Sequence, residues 1–336
     1  MRAEFWRERN VFVTGATGLL GSWMTRTLAD AGANVVCLIR DQVPQSELVR
    51  SGTVQRVNVV HGDLDDYFSV LRAINEYEIE SVFHLGAQTI VGTASRSALS
   101  TFESNIKGTW NVLEACHVCA KLVKRVVVAS SDKAYGSHAK LPYTEETPLQ
   151  GRFPYDVSKS CADLLALSYF ETHRLPVGIT RCGNLYGGGD LNFSRIVPGT
   201  IRSALRGERP IIRSDGNFIR DYFYVEDAVE AYLHFAEQMD RAELHGAAFN
   251  FGTETPMTVL AVVERILRVM SAEGLQPIIL NEANHEIREQ YLDCKKAAGL
   301  LNWRSKYTLE EGLARSVEWY RSHLAESKGW LSPAEA

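Results

Sequence analysis

Through the first half of the chain, short runs of consecutive apolar residues alternate with longer stretches in which apolar positions recur every three or four residues. VFVTG, NVVCLI, VNVVHGDL, SVFHLGA and KRVVVASS are the short runs. With little polar alternation, they predict strands buried on both faces. LLGSWMTRTLADAG predicts a helix, as does FESNIKGTWNVLEACHVCAKL, where Phe102, Ile106, Thr109, Leu113, Cys116 and Ala120 carry the repeat. In GRFPYDVSKSCADLLALSYF, Pro154 suits a first helical turn, and Val157, Cys161, Leu164, Leu165 and Ser168 predict the inward stripe. Buried strands alternating with helices indicate an α/β fold, a doubly wound parallel (Rossmann) sheet whose ligands sit beyond the carboxyl ends of the strands.

After about Thr180 the pattern loosens: RCGNLYGGGDLNF reads as a glycine-rich loop, FNFGTETPMT as a return strand and turn, and LARSVEWYRSHLAESKGW as a helix. The expected division is a first domain over residues 1–180 with a return segment at about 222–251. Residues 181–221 and 252–336 then form a smaller C-terminal, substrate-binding lobe.

Composition narrows the function. The 336 residues carry a net charge of −5, which argues against nucleic acid as a partner, and no apolar run is long enough to cross a membrane. The start goes almost directly into a strand without a signal-peptide core, so a cytoplasmic location is expected. Cys116 and Cys119 form an isolated CxxC within a helical pattern, and the histidines show no ligand spacing, so no metal site is expected.

VFVTGATGLLGSWM sets Gly15, Gly18 and Gly21 between the first strand and the first helix. Glycines there let backbone approach a pyrophosphate at a helix N-terminus, the arrangement of a dinucleotide site. At the end of the second strand Arg40 and Asp41 leave both NAD and NADP open, the acid favouring NAD. Asp63 and Leu64 in HGDLDD close another strand where an adenine edge would rest. Tyr155 and Lys159 are four apart, neighbours on a helix face, and a lysine beside a phenol favours the phenolate needed to take a hydroxyl proton.

TGATGLLG, HGDL, FHLGAQ, SNIKGT, SSDKAYG, YDVSK, RCGNLYGGGD and RDYFYVED together resemble the extended short-chain dehydrogenases/reductases that act on nucleotide sugars, over almost the whole chain. The resemblance implies a nicotinamide dinucleotide held by Gly15, Thr17, Gly18, Leu19, Gly21, Arg40, Asp41, Asp63, Leu64, Leu85, Ala87, Gln88, Asn105, Tyr155 and Lys159. It implies Ser131, Tyr155 and Lys159 as the catalytic set, and Gln88, Ser131, Asn184, Arg195, Arg220 and Arg288 on a nucleotide-diphosphate hexose. A homodimer is implied through a four-helix bundle built from the helices containing Asn105 and Tyr155.

The two residues after Ser131 sort the reactions of this group. Asp132 and Lys133 resemble the acid–base pair of the 4,6-dehydratases, and the Asp-Lys order resembles the CDP-glucose branch. In that chemistry the C4 hydroxyl is oxidised, a base removes the C5 proton, an acid protonates the departing C6 hydroxyl, and hydride returns to C6. Lys133 is then the base and Asp132 the acid. The triple glycine before Asp190, and His285, Glu286, Asp293 and Cys294, also resemble that branch, whereas RDYFYVED and IRD depart from it. The rival readings are a nucleotide-sugar epimerase, in which Asp132 and Lys133 only position substrate, and a non-catalytic dinucleotide sensor.

Overall fold

A computed structural model of the chain describes residues 1–282 and 287–326; His285 and Glu286 lie outside the described residues. Each short apolar run forms a strand: β1 (Asn10–Thr14), β2 (Asn34–Ile39), β3 (Asn58–His61), β4 (Ser81–His84) and β5 (Arg125–Ala129). With β6 (Val177–Cys182) and a seventh strand (Ala248–Phe251) they make one parallel sheet in the order seventh, β6, β5, β4, β1, β2, β3. The order reverses between β1 and β4, which opens a crevice at their carboxyl ends.

Alternate residues of the strands feed two cores. Val11, Val13, Phe83 and Val127 pack with Met24, Leu28, Phe235 and Phe249 on one face. Phe12, Val82, Val126 and Val128 pack with Val70, Ile74, Val112 and Leu113 on the other. Both faces are buried, as period-two side-chain alternation requires of a sheet covered twice.

Two helices depart from their expected patterns. The helix at FESNIKGTW is interrupted by a wide π turn over Glu103–Lys107, which slips the register so that Asn105 rather than Ile106 is buried. In Pro154–His173, Asp156, Lys159, Ser160, Ala162, Asp163 and Ala166 face inward, while Leu164 is 55% exposed and Leu167 39%. The expected stripe through Leu164 is therefore corrected. This helix turns its polar face to the sheet because Asp163 forms a buried bidentate pair with Arg181 of β6, both bonds 2.8 Å.

The segment read as loop after β6 contains a short strand, Asn184–Tyr186, paired with Tyr222–Tyr224. The helix Val225–Gln238 and the seventh strand then return the chain to the main sheet. The outlying part holds the helices Ile196–Leu205 and Val259–Val269, packed through Ile196, Ile212, Val263 and Leu267. It also holds a three-stranded patch in which Ile219–Arg220 lies between Met257–Thr258 and Glu289–Gln290.

Candidate active site

At the end of β1 the chain turns at Gly15 with φ +72°, a left-handed conformation that disfavours a side chain. A Cβ on Gly15 would lie 2.7 Å from the Gly86 backbone, and one on Gly21 would lie 2.0 Å from the Gly15 carbonyl oxygen. Leu19–Asp30 then begins with Gly18 at its N-cap, so no side chain satisfies its first backbone N–H groups. Thr17 and Leu19 are half-buried and Gly18 is exposed beside that end. Bare amides at a helix N-terminus beside the sheet's crevice fit the pyrophosphate of a dinucleotide.

The crevice wall is tied to β1. The Thr14 hydroxyl accepts from the backbone N–H groups of Leu85 (3.1 Å) and Gly86 (3.0 Å). Asn105 accepts from the Gln88 backbone N–H at 2.6 Å and donates to the Gln88 carbonyl and the Ser158 hydroxyl, so it clamps the segment containing Ala87 and Gln88 to the helix of Tyr155. Leu64 is buried, and its carbonyl accepts from Asn111 at 2.8 Å. At the end of β2, Arg40 donates to Asp41 at 2.7 Å and approaches Asp63 at 3.8 Å, an arrangement in which the arginine is already engaged by acids.

β5 delivers Ser130 and Ser131 to the same end of the sheet, and Asp132–Tyr135 follow as a tight 3₁₀ turn. The Ser131 hydroxyl accepts from the Lys133 N–H at 3.2 Å and donates to Asp132 Oδ1 at 3.0 Å. Lys133 Nζ lies 3.2 Å from Asp132 Oδ1 and 3.3 Å from Asn184 Oδ1. Asp132 is buried and the Lys133 side chain is 17% exposed, so the pair points inward. Burial pushes the Lys133 ammonium below its ordinary pKa; the Asp132 charge opposes this and the Arg220 charge adds to it.

Tyr155 stands in the first turn of its helix, with its pKa pushed up to about 12 by burial and drawn back by Arg195 and by the Ser131 hydroxyl. Among the charges Arg195 draws it down most, whereas the sequence pattern points to Lys159, one helical turn away. Lys159 donates to the Ala129 carbonyl at 2.7 Å, and burial lowers its pKa to about 8. Arg195 is held by Asp190 (3.1 Å) and Thr89 (3.3 Å). Arg220 and Arg288 come together over the Phe218 ring, 5.5 and 5.8 Å from its centroid, although Arg288 is largely exposed and pairs with Asp215. Next to the turn, a cleft of about 470 Å³ is lined by Gly136, Leu141, Arg152, Phe153, Asp156 and Arg288.

A family described as GDP-mannose 4,6 dehydratase matches residues 12–316. The chain belongs to that family. It is 32% identical to the CDP-glucose 4,6-dehydratase of Salmonella typhimurium, over 96% of this chain and 93% of the relative. A dTDP-glucose 4,6-dehydratase of Streptomyces venezuelae, solved with NAD and TYD bound, superposes with a TM-score of 0.85 at 26% identity, covering 97% of this chain and 100% of that one. A UDP-glucose 4-epimerase of Thermotoga maritima, solved with UDP-glucose, superposes with a TM-score of 0.83 at 27% identity, covering 94% and 99%.

Four residues of the site escape sequence reasoning. His84 is sealed between the hydroxyls of Thr14 (2.9 Å) and Thr109 (3.0 Å), and burial lowers its pKa to about 3, so it is a neutral strut behind the crevice wall. The Asp163–Arg181 pair extends to the Tyr135 hydroxyl at 2.9 Å, and Asp163 raises the pKa of Lys159 against the effect of burial. Gln290 donates to the Asp132 carbonyl. A lone histidine after a strand and a glutamine far along the chain carry no spacing signal; Asp163, one helical turn beyond Lys159, carries a faint one.

Proposed function

We propose that this family member is a nucleotide-sugar 4,6-dehydratase that converts an NDP-hexose, CDP-glucose by its resemblance to the Salmonella relative, to the 4-keto-6-deoxy sugar. The observation that carries the reading is the inward-facing Asp132–Lys133 pair at the mouth of β5, beside Ser131 and Asn184. An amine depressed by burial and by the Arg220 charge is suited to remove the C5 proton. Asp132 is placed to protonate the departing C6 hydroxyl, while Ser131 holds the C4 oxygen and Tyr155 takes its proton. Asn184, Arg195, Arg220 and Arg288 supply donors for the sugar diphosphate, for which guanidinium forks are suited.

NAD is the cofactor in this reading, and its chemistry is to accept a hydride from C4 and return it at C6. Gly15, Thr17, Gly18, Leu19 and Gly21 would hold its pyrophosphate, Asp41 its ribose, and Asp63, Leu64, Leu85, Ala87, Gln88 and Asn105 the crevice wall. Asp41 and Asp63 around Arg40 oppose a further phosphate, which supports NAD over NADP.

We assign residues 1–180 with 222–251 to dinucleotide binding, and 181–221 with 252–336 to the nucleotide sugar. The exposed Leu164 and Leu167, with Trp110 and Val118 of Gly108–Val118, support a homodimer through a four-helix bundle. Among the described residues no helix is long and apolar enough to cross a membrane. Six free cysteines support a reducing compartment, and we assign the cytoplasm.

The test is mass spectrometry of products from CDP-, dTDP-, GDP- and UDP-hexoses. A product lighter by one water, with the alkaline absorbance of a 4-keto-6-deoxy sugar, is expected from the CDP sugar. Epimers alone would sink the dehydratase reading. The likeness to the Thermotoga epimerase makes that the second reading, with Asp132 and Lys133 reduced to positioning.

A further inference from the structure

Gln290 is fully buried on the short strand Glu289–Gln290, which runs parallel to Ile219–Arg220. Its side-chain amide donates to the backbone carbonyl of Asp132 at 2.6 Å, while its own Oε1 is buried with no hydrogen-bond partner among the described residues. A buried glutamine that leaves an acceptor unsatisfied is worse for stability than a methionine of similar length. What methionine cannot do is grip that one carbonyl, and the carbonyl opens the turn that presents Asp132 and Lys133.

The turn's backbone is otherwise held from within and from the dinucleotide-binding part. Lys133 N–H donates to Ser131 Oγ, Ala134 N–H to the Ser131 carbonyl, and the Ser160 hydroxyl donates to the Ala134 carbonyl. Gln290 comes from the other side. Its strand is laddered to the one carrying Arg220, whose guanidinium donates to the carbonyls of Ile219 and Arg288. One short ladder thus holds two arginines that share the Phe218 ring and, through a single side chain, the turn of the acid–base pair.

We propose that Gln290 is a positioning residue that couples the arginine ladder to the Asp132–Lys133 turn, setting the seat of the water-eliminating groups relative to the anchored diphosphate. The kinetic side of the proposal rests on the dehydratase reading; the coupling of the turn does not.

The experiment compares wild type with Gln290→Met and Gln290→Glu, using hydrogen–deuterium exchange on the ligand-free proteins and steady-state kinetics on the nucleotide sugar that wild type turns over. In Gln290→Met, exchange over 133–136 should rise about tenfold while 219–224 and the melting temperature stay at wild-type values. Dehydration should lose about tenfold in kcat with KM within about twofold, because the groups are misplaced after substrate is anchored. In Gln290→Glu, activity as a fraction of wild type at the same pH should recover as pH falls, since only the neutral carboxyl can donate to the Asp132 carbonyl. Unchanged exchange over 133–136, or a rise throughout the protein with a lower melting temperature, would overturn the coupling. Parallel changes in kcat and KM, or no recovery of the Gln290→Glu activity relative to wild type at low pH, would overturn the positioning role. If wild type yields epimers only, the dehydratase reading fails while the exchange arm still decides whether Gln290 holds the turn.

Discussion

Lys133 Nζ sits 3.2 Å from Oδ1 of Asp132, its immediate neighbour in sequence, and both side chains are turned toward the interior. Consecutive residues of a strand point to opposite faces; these two meet because β5 has already ended and the chain has entered a 3₁₀ turn. Asn184 completes the group from the opposite wall.

Replacing the lysine should separate the two halves of the reaction. Lys133→Ala is expected to retain slow oxidation at C4, seen as transient absorbance of reduced dinucleotide, while water loss falls at least about a hundredfold. Dehydration at the wild-type rate would refute the base assignment.

The charges around Lys133 predict shifts of opposite sign. The amine acts when neutral, so dehydration declines as pH falls through its lowered pKa. Arg220→Gln removes a nearby cation and should move this acid limb to higher pH, provided substrate is saturating. Asp132→Asn removes an anion and should move the limb of the residual activity to lower pH. Limbs that stay in place in both variants would show that another group titrates.

Lys159 has a folded pKa near 8 against an ordinary 10.5, so its charge beside Tyr155 is present below about pH 8 and lost above it. C4 oxidation should decline above that pH, and Lys159→Arg should remove the decline, read from single-turnover rates. Stability behaves differently. Between the two values the unfolded chain binds more protons, so this group's contribution to folding should rise with pH across that window, measurable by urea denaturation.

Cofactor choice should be sensitive to Asp41. Asp41→Ser frees the Arg40 guanidinium from its 2.7 Å partner and is expected to tighten NADP binding by about tenfold relative to NAD, measured by fluorescence titration. An unchanged preference would place discrimination elsewhere.

The outward leucines of the Tyr155 helix are the simplest check on assembly. Leu164→Glu should leave the fold intact, since the side chain is 55% exposed, but should convert a dimer to a monomer in sedimentation. A wild type that sediments as a monomer would remove the four-helix-bundle proposal.

Much of the sheet is legible along the chain because a strand covered on both faces must be apolar at consecutive positions, as in Val126 to Val128, and the helices between must carry a stripe. The rule fails where a helix faces a site. In Pro154–His173 the inward positions are Asp156, Lys159, Ser160 and Asp163, so a search for apolar spacing selects Leu164 on the wrong side. It fails again at Glu103–Lys107, where a π turn resets the period and brings Asn105 inward.

Local sequence alone therefore determined strands β1 to β5, the glycine turn at Gly15, and the neighbourhood of Ser131, Asp132 and Lys133, because each depends on residues within a few positions of one another. Only the tertiary structure decided that Arg195 reaches Tyr155, where Lys159 donates, and that Gln290 grips the Asp132 carbonyl across a separation of 158 residues. Burial and electrostatic fields act through space, and the packing that brings distant segments together leaves no periodic mark on either of them.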